Sequence, residues 1–192
     1  MNNSRAPASI ARLAGKGGRY HHGRLRGSLM IAAAQILERE GEAGLTMRAL
    51  ADRADVSRTA PYRHFAGKQG LLAAVAAQGF KTLDGELSKA SDAHGDFTDR
   101  QLAMGKAYLA FARRYAQVFR LMFIDPPLDA TVRKLGDAAI QGRFAPGSSV
   151  EISGALSLAA YALVHGLALI AKADTATGDA LELGLKALSN ED

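Results

Sequence analysis

Arg58, Thr59 and Ala60 stand side by side after Ser57, presenting a forked donor, a short hydroxyl and a methyl group in one run. Those three chemistries suit the reading of guanine edges and thymine methyls in a DNA major groove, and none of them makes or breaks a covalent bond there. Tyr62, Arg63 and His64 follow at once, with polar ends able to reach phosphate oxygens. Thr46 and Lys68 occupy expected helix starts, where a hydroxyl or an ammonium beside free backbone N–H groups holds a phosphate. Arg48 lies on the helix that Thr46 opens and joins this set. Thr46 and Ser57 are also ordinary helix N-caps, so capping is their first role and DNA contact a second.

Other chemistries find less support. His21 and His22, with Tyr20 beside them, raise the idea of a metal site, but adjacent residues cannot share one helix face and no acidic or sulfur ligand is close. With Arg19 and Arg24 on either side, Tyr20 and His21 read instead as auxiliary DNA contacts on a basic arm that lies along the backbone or in the minor groove. Serine-elbow, dinucleotide and metal-spaced motifs are missing, and the "GKGG" at 15–18 lacks the spacing of a phosphate loop. The chain is therefore read as no enzyme, needing no metal and no cofactor.

Charge and composition agree. Residues 1–70 hold 12 Lys or Arg against 5 Asp or Glu, a net +7, while residues 71–192 hold 12 against 14, a net −2. One part of the chain is built to meet a polyanion and the rest has another task. With 48% hydrophobic residues, 6% aromatic and no Trp, the chain suits an Ala- and Leu-rich helical protein. The absence of Cys excludes disulfides and thiolate sites and fits a cytoplasmic protein.

The elements that must position these residues are all helical. Leu25, Leu29, Ala32, Ala33, Ile36 and Leu37 recur every three or four residues, so a helix runs from 25 to 40 and ends at Gly41 and Gly44. Thr46 opens a short second helix with Leu50, Ala51 and Ala54 inward, and Asp55 and Val56 break it. Ser57 opens a third, "SRTAPYRHF", in which Pro61 must sit in the first turn. A longer helix follows from 68 to 87, and the polar stretch 88–96 marks a boundary. Two short helices joined by a tight turn and braced by a third form a helix-turn-helix.

The C-terminal part is less specific. Tyr108, Phe111, Tyr115, Phe119, Met122 and Phe123 form an aromatic stripe on helices 99–115 and 116–124, ending before Pro126 and Pro127. Such a stripe is ordinary core, yet effector pockets use the same apolar walls with a few polar groups. Tyr161 and His165, on a helix near 150–172, complete the candidate ligand-binding set. Ile152–Ala171 holds 20 residues without Lys, Arg, Asp or Glu and mimics a membrane span. Its Ala, Gly, Ser and His content reads better as a helix buried on most sides inside a bundle or a dimer, so no membrane is expected; this helix and one at 176–189 are the candidates for a homodimer interface.

The run "LTMRALADRADVSRTAPYRHFAGKQGLLAAV", Leu45–Val75, resembles the DNA-binding domain of the tetracycline-repressor (TetR) family. The preceding "YHHGRLRGSLMIAAAQILEREG", Tyr20–Gly41, is similar to that family's first helix and its lead-in. "AYALVHGLALI", Ala160–Ile170, resembles a Trp-His-Gly signature of one subset, with Tyr161 where Trp is more usual. The resemblance implies an all-α fold: a three-helix head at 25–70 behind a flexible arm at 1–24, joined by a long helix to a bundle at 71–192 that binds ligand and dimerises. It further implies a repressor released from a near-palindromic double-stranded operator by a small-molecule effector. An architectural DNA-binding dimer without an effector stays open beside it. One departure concerns the turn, where the family commonly has Gly and this chain has Asp55. A left-handed backbone at that point costs Asp more than Gly.

Overall fold

The apolar stripe near the start becomes α1, His21–Gly44, in a computed structural model that describes residues 21–93, 97–123, 132, 134, 151–170 and 175–189. Leu29, Ala33, Ile36 and Leu37 are buried, as the three-four spacing predicts. The helix starts before residue 25, so the last residues of the expected arm are already helical. Gly41 interrupts it with φ 68°, a left-handed backbone, after which helical bonding resumes to Gly44. Next come α2, Met47–Ala54, a single 3-10 turn at Pro61–Arg63, and α3, Gly67–Asp92. The remaining helices are α4, Phe97–Arg114, α5, Ala116–Phe123, α6, Glu151–Ile170, and α7, Thr175–Ser189. No strand occurs among the described residues.

These helices gather into two compact units that alternate along the chain: Met1–Thr82 with Tyr115–Arg133, and Leu83–Arg114 with Lys134–Asp192. The first unit therefore contains more than residues 25–70, because it recruits the start of α3 and all of α5. α3 also runs on to Asp92, through the polar stretch that reads as a boundary in sequence.

Two contacts hold α5 into the first unit. Gly79 of α3 lets it approach closely: a Cβ added there would lie 2.5 Å from Met122 Sδ and 2.9 Å from Val118 Cγ1. On the other side, the half-buried Glu38 of α1 reaches the start of α5. Its Oε1 accepts the backbone N–H of Gln117 at 3.1 Å and of Val118 at 3.0 Å. Those N–H groups have no partner inside an eight-residue helix, so a side chain from elsewhere in the chain supplies the cap. Burial pushes the Glu38 carboxyl above its ordinary value, against the opposing pull of the two backbone N–H groups.

In the second unit α4, α6 and α7 pack on one another. The apolar run expected inside a bundle or a dimer falls on α6 as far as Ile170, and no helix among the described residues is long and apolar enough to cross a membrane. Leu158, Leu169 and Ile170 of α6 and Leu183 of α7 remain exposed.

Candidate nucleic-acid interface

Thr46 is extended, with φ −118° and ψ 156°, and its hydroxyl accepts the Ala49 N–H at 3.0 Å, which starts α2 as its sequence predicts. Arg48 projects from the first turn with its side chain 71% exposed and only a long 3.9 Å approach to Asp52. A surface pair of that kind contributes little, so the guanidinium is available to another anion.

The helix ends on Asp55, which adopts φ 54° and ψ 53° and has the only positive φ among the described non-glycine residues. Its N–H points to Asp52 O, and the Val56 N–H donates to Ala51 O at 3.1 Å. This pair of bonds satisfies the last carbonyls of α2 and requires the left-handed residue between them. Asp tolerates that conformation better than most side chains, which explains how the turn forms without Gly. Asp55→Gly is therefore expected to raise stability by about 0.5–1 kcal/mol and Asp55→Val to lower it by at least about 1 kcal/mol. Urea unfolding checks both, and a stabilising Val would contradict the role given to the turn.

The third helix of the motif does not form as an α-helix. Ala60 N–H donates to Ser57 O at 3.0 Å, Arg63 to Ala60 O at 3.2 Å and His64 to Pro61 O at 3.0 Å. These are i to i−3 bonds, so the segment is a chain of tight turns closed by the 3-10 turn Pro61–Arg63. Pro61 is the physical cause, since it lacks the N–H that an α-helical bond to Ser57 needs. Ser57 consequently caps no α-helix; its hydroxyl lies 3.3 Å from that of Thr59.

Ser57, Arg58, Thr59, Tyr62 and Arg63 are exposed on this segment, Tyr62 by 61%. Ala60 does not share their face: it is buried beside Pro61, so its methyl is core rather than a base contact. His64 is half-buried, and Phe65 is buried and donates its N–H to Pro61 O at 3.0 Å. Lys68 also departs from expectation. Its ammonium donates to the Glu42 carbonyl at 2.8 Å and lies 3.6 Å from Glu42 Oε1, so it ties the start of α3 to the end of α1. Tyr20 and the side chain of His21 lie outside the described residues.

The candidate ligand set falls into two groups. Tyr115, Phe119, Met122 and Phe123 belong to the first unit, where Phe123 meets Phe80 edge-on at 5.2 Å and Phe119 at 4.7 Å. They are core that holds α5 to α3. Tyr108, Phe111, Tyr161 and His165 belong to the second unit. There the Tyr108 hydroxyl is 2.8 Å from His165 Nδ1, and Tyr161 stacks on the His165 ring at 5.4 Å. Burial holds Tyr108 far above and His165 below their ordinary values, which keeps both neutral.

A depressed histidine favours the neutral form in the folded state, so its contribution is present above the unfolded value of 6.5 and is lost as pH falls. The stability of the wild type relative to His165→Gln is expected to decrease between about pH 7.5 and about pH 5. Unfolding curves across that range check it, and a constant difference would refute the buried neutral assignment.

Comparison with known proteins places this arrangement. Residues 29–75 match the family described as bacterial regulatory proteins, tetR family. The transcriptional activator FasR of Mycolicibacterium smegmatis is 29% identical over 134 residues, which are 67% of this chain; the chain spans 61% of FasR. Among solved structures, a Rhodococcus protein of unknown function is similar with 28% identity and a TM-score of 0.71, covering 88% of this chain and 96% of that one. A TetR-family regulator from Streptomyces coelicolor shares the fold, at 23% identity and a TM-score of 0.59 over 86% of this chain and 95% of that one. A capped α2, a left-handed turn and an exposed basic segment braced by α1 fall in the register of that match, so residues 29–75 of this chain are similar to the tetR family of bacterial regulatory proteins.

Proposed function

We propose that the chain is a sequence-specific DNA-binding regulator of transcription that works in the cytoplasm as a homodimer. The observation that carries this reading is the exposed row Ser57, Arg58, Thr59, Tyr62 and Arg63 on a head tied together by Thr46, Asp55 and Lys68. Arg58 and Thr59 read base edges, while Thr46, Arg48, Tyr62, Arg63 and His64 hold phosphates, with Tyr20 and His21 as auxiliary contacts. Two heads spaced by about 34–36 Å meet successive major-groove faces, so the operator is a near-palindrome. The exposed leucines and Ile170 of α6 and α7 support the homodimer, since a self-complementary apolar face is covered by a second copy.

For the effector, the support is the Tyr108, Tyr161 and His165 cluster, which brings two hydroxyls and an imidazole together in the second unit. A structural neighbour, the multidrug binding protein EbrR, is described in complex with imidazole, which agrees with a small-molecule site on this fold. Release of the operator on effector binding makes the chain a repressor, as another neighbour, AlkX, is named. FasR is named an activator, so the sign is read by a reporter placed behind the operator.

Selection of duplexes from a random pool by the full chain tests the reading. The expected result is enrichment of a two-fold symmetric sequence bound far more tightly than its scrambled version. Binding without sequence preference, or no binding at low salt, would sink it.

A further inference from the structure

Arg26 lies on α1, away in sequence from the exposed row, yet its guanidinium carbon sits 5.4 Å from the centre of the Phe65 ring. That ring closes the reading segment, since Phe65 donates its N–H to Pro61 O and the neighbouring His64 ring lies 6.4 Å away. A guanidinium held over a buried aromatic ring is restrained in position without using any of its donors. Arg26 is exposed and forms no hydrogen bond or ion pair with the described residues. A guanidinium held over Phe65, the residue that follows Tyr62, Arg63 and His64 in the chain, keeps its donors for two oxygens of one phosphate.

We propose that Arg26 is a phosphate-contacting residue of the DNA interface, pre-positioned by its stack on Phe65. This rests on the operator reading above. It adds a contact from the bracing helix to those of the reading segment, and fixes the register of the head on the duplex without specifying sequence.

The test is a fluorescence anisotropy titration of the full chain on a duplex it has selected and on a scrambled duplex, at salt from about 50 to about 200 mM. Arg26→Gln is expected to weaken both complexes about tenfold and to reduce the slope of log affinity on log salt by about one. Arg26→Lys keeps the charge and the slope but loses the stacked fork, so it falls between the two. Thermal melting of the variants confirms that the head is folded. A wild type that binds neither duplex overturns this proposal together with the operator reading. A wild type that binds, with Arg26→Gln equal to it in affinity and slope, overturns the Arg26 assignment alone. Loss in Arg26→Gln and Arg26→Lys to the same extent, with the slope unchanged, also overturns it, because Arg26 would then act only on the shape of the turn.

Discussion

Glu38→Ala is expected to destabilise the first unit by about 2–3 kcal/mol, more than any other single truncation of a polar side chain in this protein. The carboxylate satisfies two N–H groups at the start of α5, and alanine leaves both without a partner in a half-buried setting. An eight-residue helix has little stability of its own, so its order depends on this cap and on its packing against Gly79 and Phe80. Amide exchange of Gln117 and Val118 should accelerate in Glu38→Ala while the amides of α2 stay protected. Unchanged unfolding and unchanged exchange would show that the cap is dispensable.

Glu38→Gln separates charge from geometry. The amide keeps one acceptor oxygen for the α5 N–H groups and removes the buried charge, so it is expected to lie within about 1 kcal/mol of the wild type at neutral pH. Because the folded carboxyl titrates above its ordinary value of 4.5, the folded state binds this proton more tightly than the unfolded chain does. The wild type should then gain stability relative to Glu38→Gln as pH falls from neutral to about 4, and lose that advantage as pH rises through the raised value. A difference that moves the other way would mean that the backbone N–H groups outweigh burial.

Arg58→Ala should relax operator specificity by about 1–3 kcal/mol, confined to one base position in each half-site. Arg58 is exposed at the leading end of the turn segment, next to the hydroxyl pair Ser57 and Thr59, and its fork suits the two acceptors of a guanine. Lys68→Met supplies the contrast. Its ammonium is bonded to the Glu42 carbonyl, so its loss should loosen the junction of α1 with α3, lower the melting temperature and weaken all duplexes alike. Binding measured across a panel of single-base operator variants distinguishes the two. A flat loss for Arg58→Ala would remove it from base reading.

Much of this head is legible in the sequence because its signals are local. The apolar stripe of α1, the Thr46 cap and the αL strain at Asp55 each depend on residues within a turn or two of one another, and each appears in the structure where its spacing puts it. The segment after Ser57 was locally encoded too, but two local rules compete there. A hydroxyl before a helix-forming run favours an α-helical start, while Pro61 withholds the N–H that would bond back to Ser57. Proline wins, and the segment closes as i to i−3 turns with Ala60 turned inward.

What only the tertiary structure decided are the pairings between residues distant along the chain. Nothing near Glu38 announces a helix 79 residues later that needs its carboxylate, and nothing near Arg26 announces the ring of Phe65. The aromatic stripe from Tyr108 to Phe123 is continuous in sequence, yet its two halves belong to different units. Periodicity establishes that such a residue faces inward, because the helix repeat is a property of the local backbone. Which interior it faces is set by how the helices assemble, and that is a property of the whole chain. The sequence by itself thus determined that the chain is helical and basic at one end. Tertiary packing decided which of those charges the described residues tie down, as Glu42 ties Lys68, and which stay exposed, as Arg58 does.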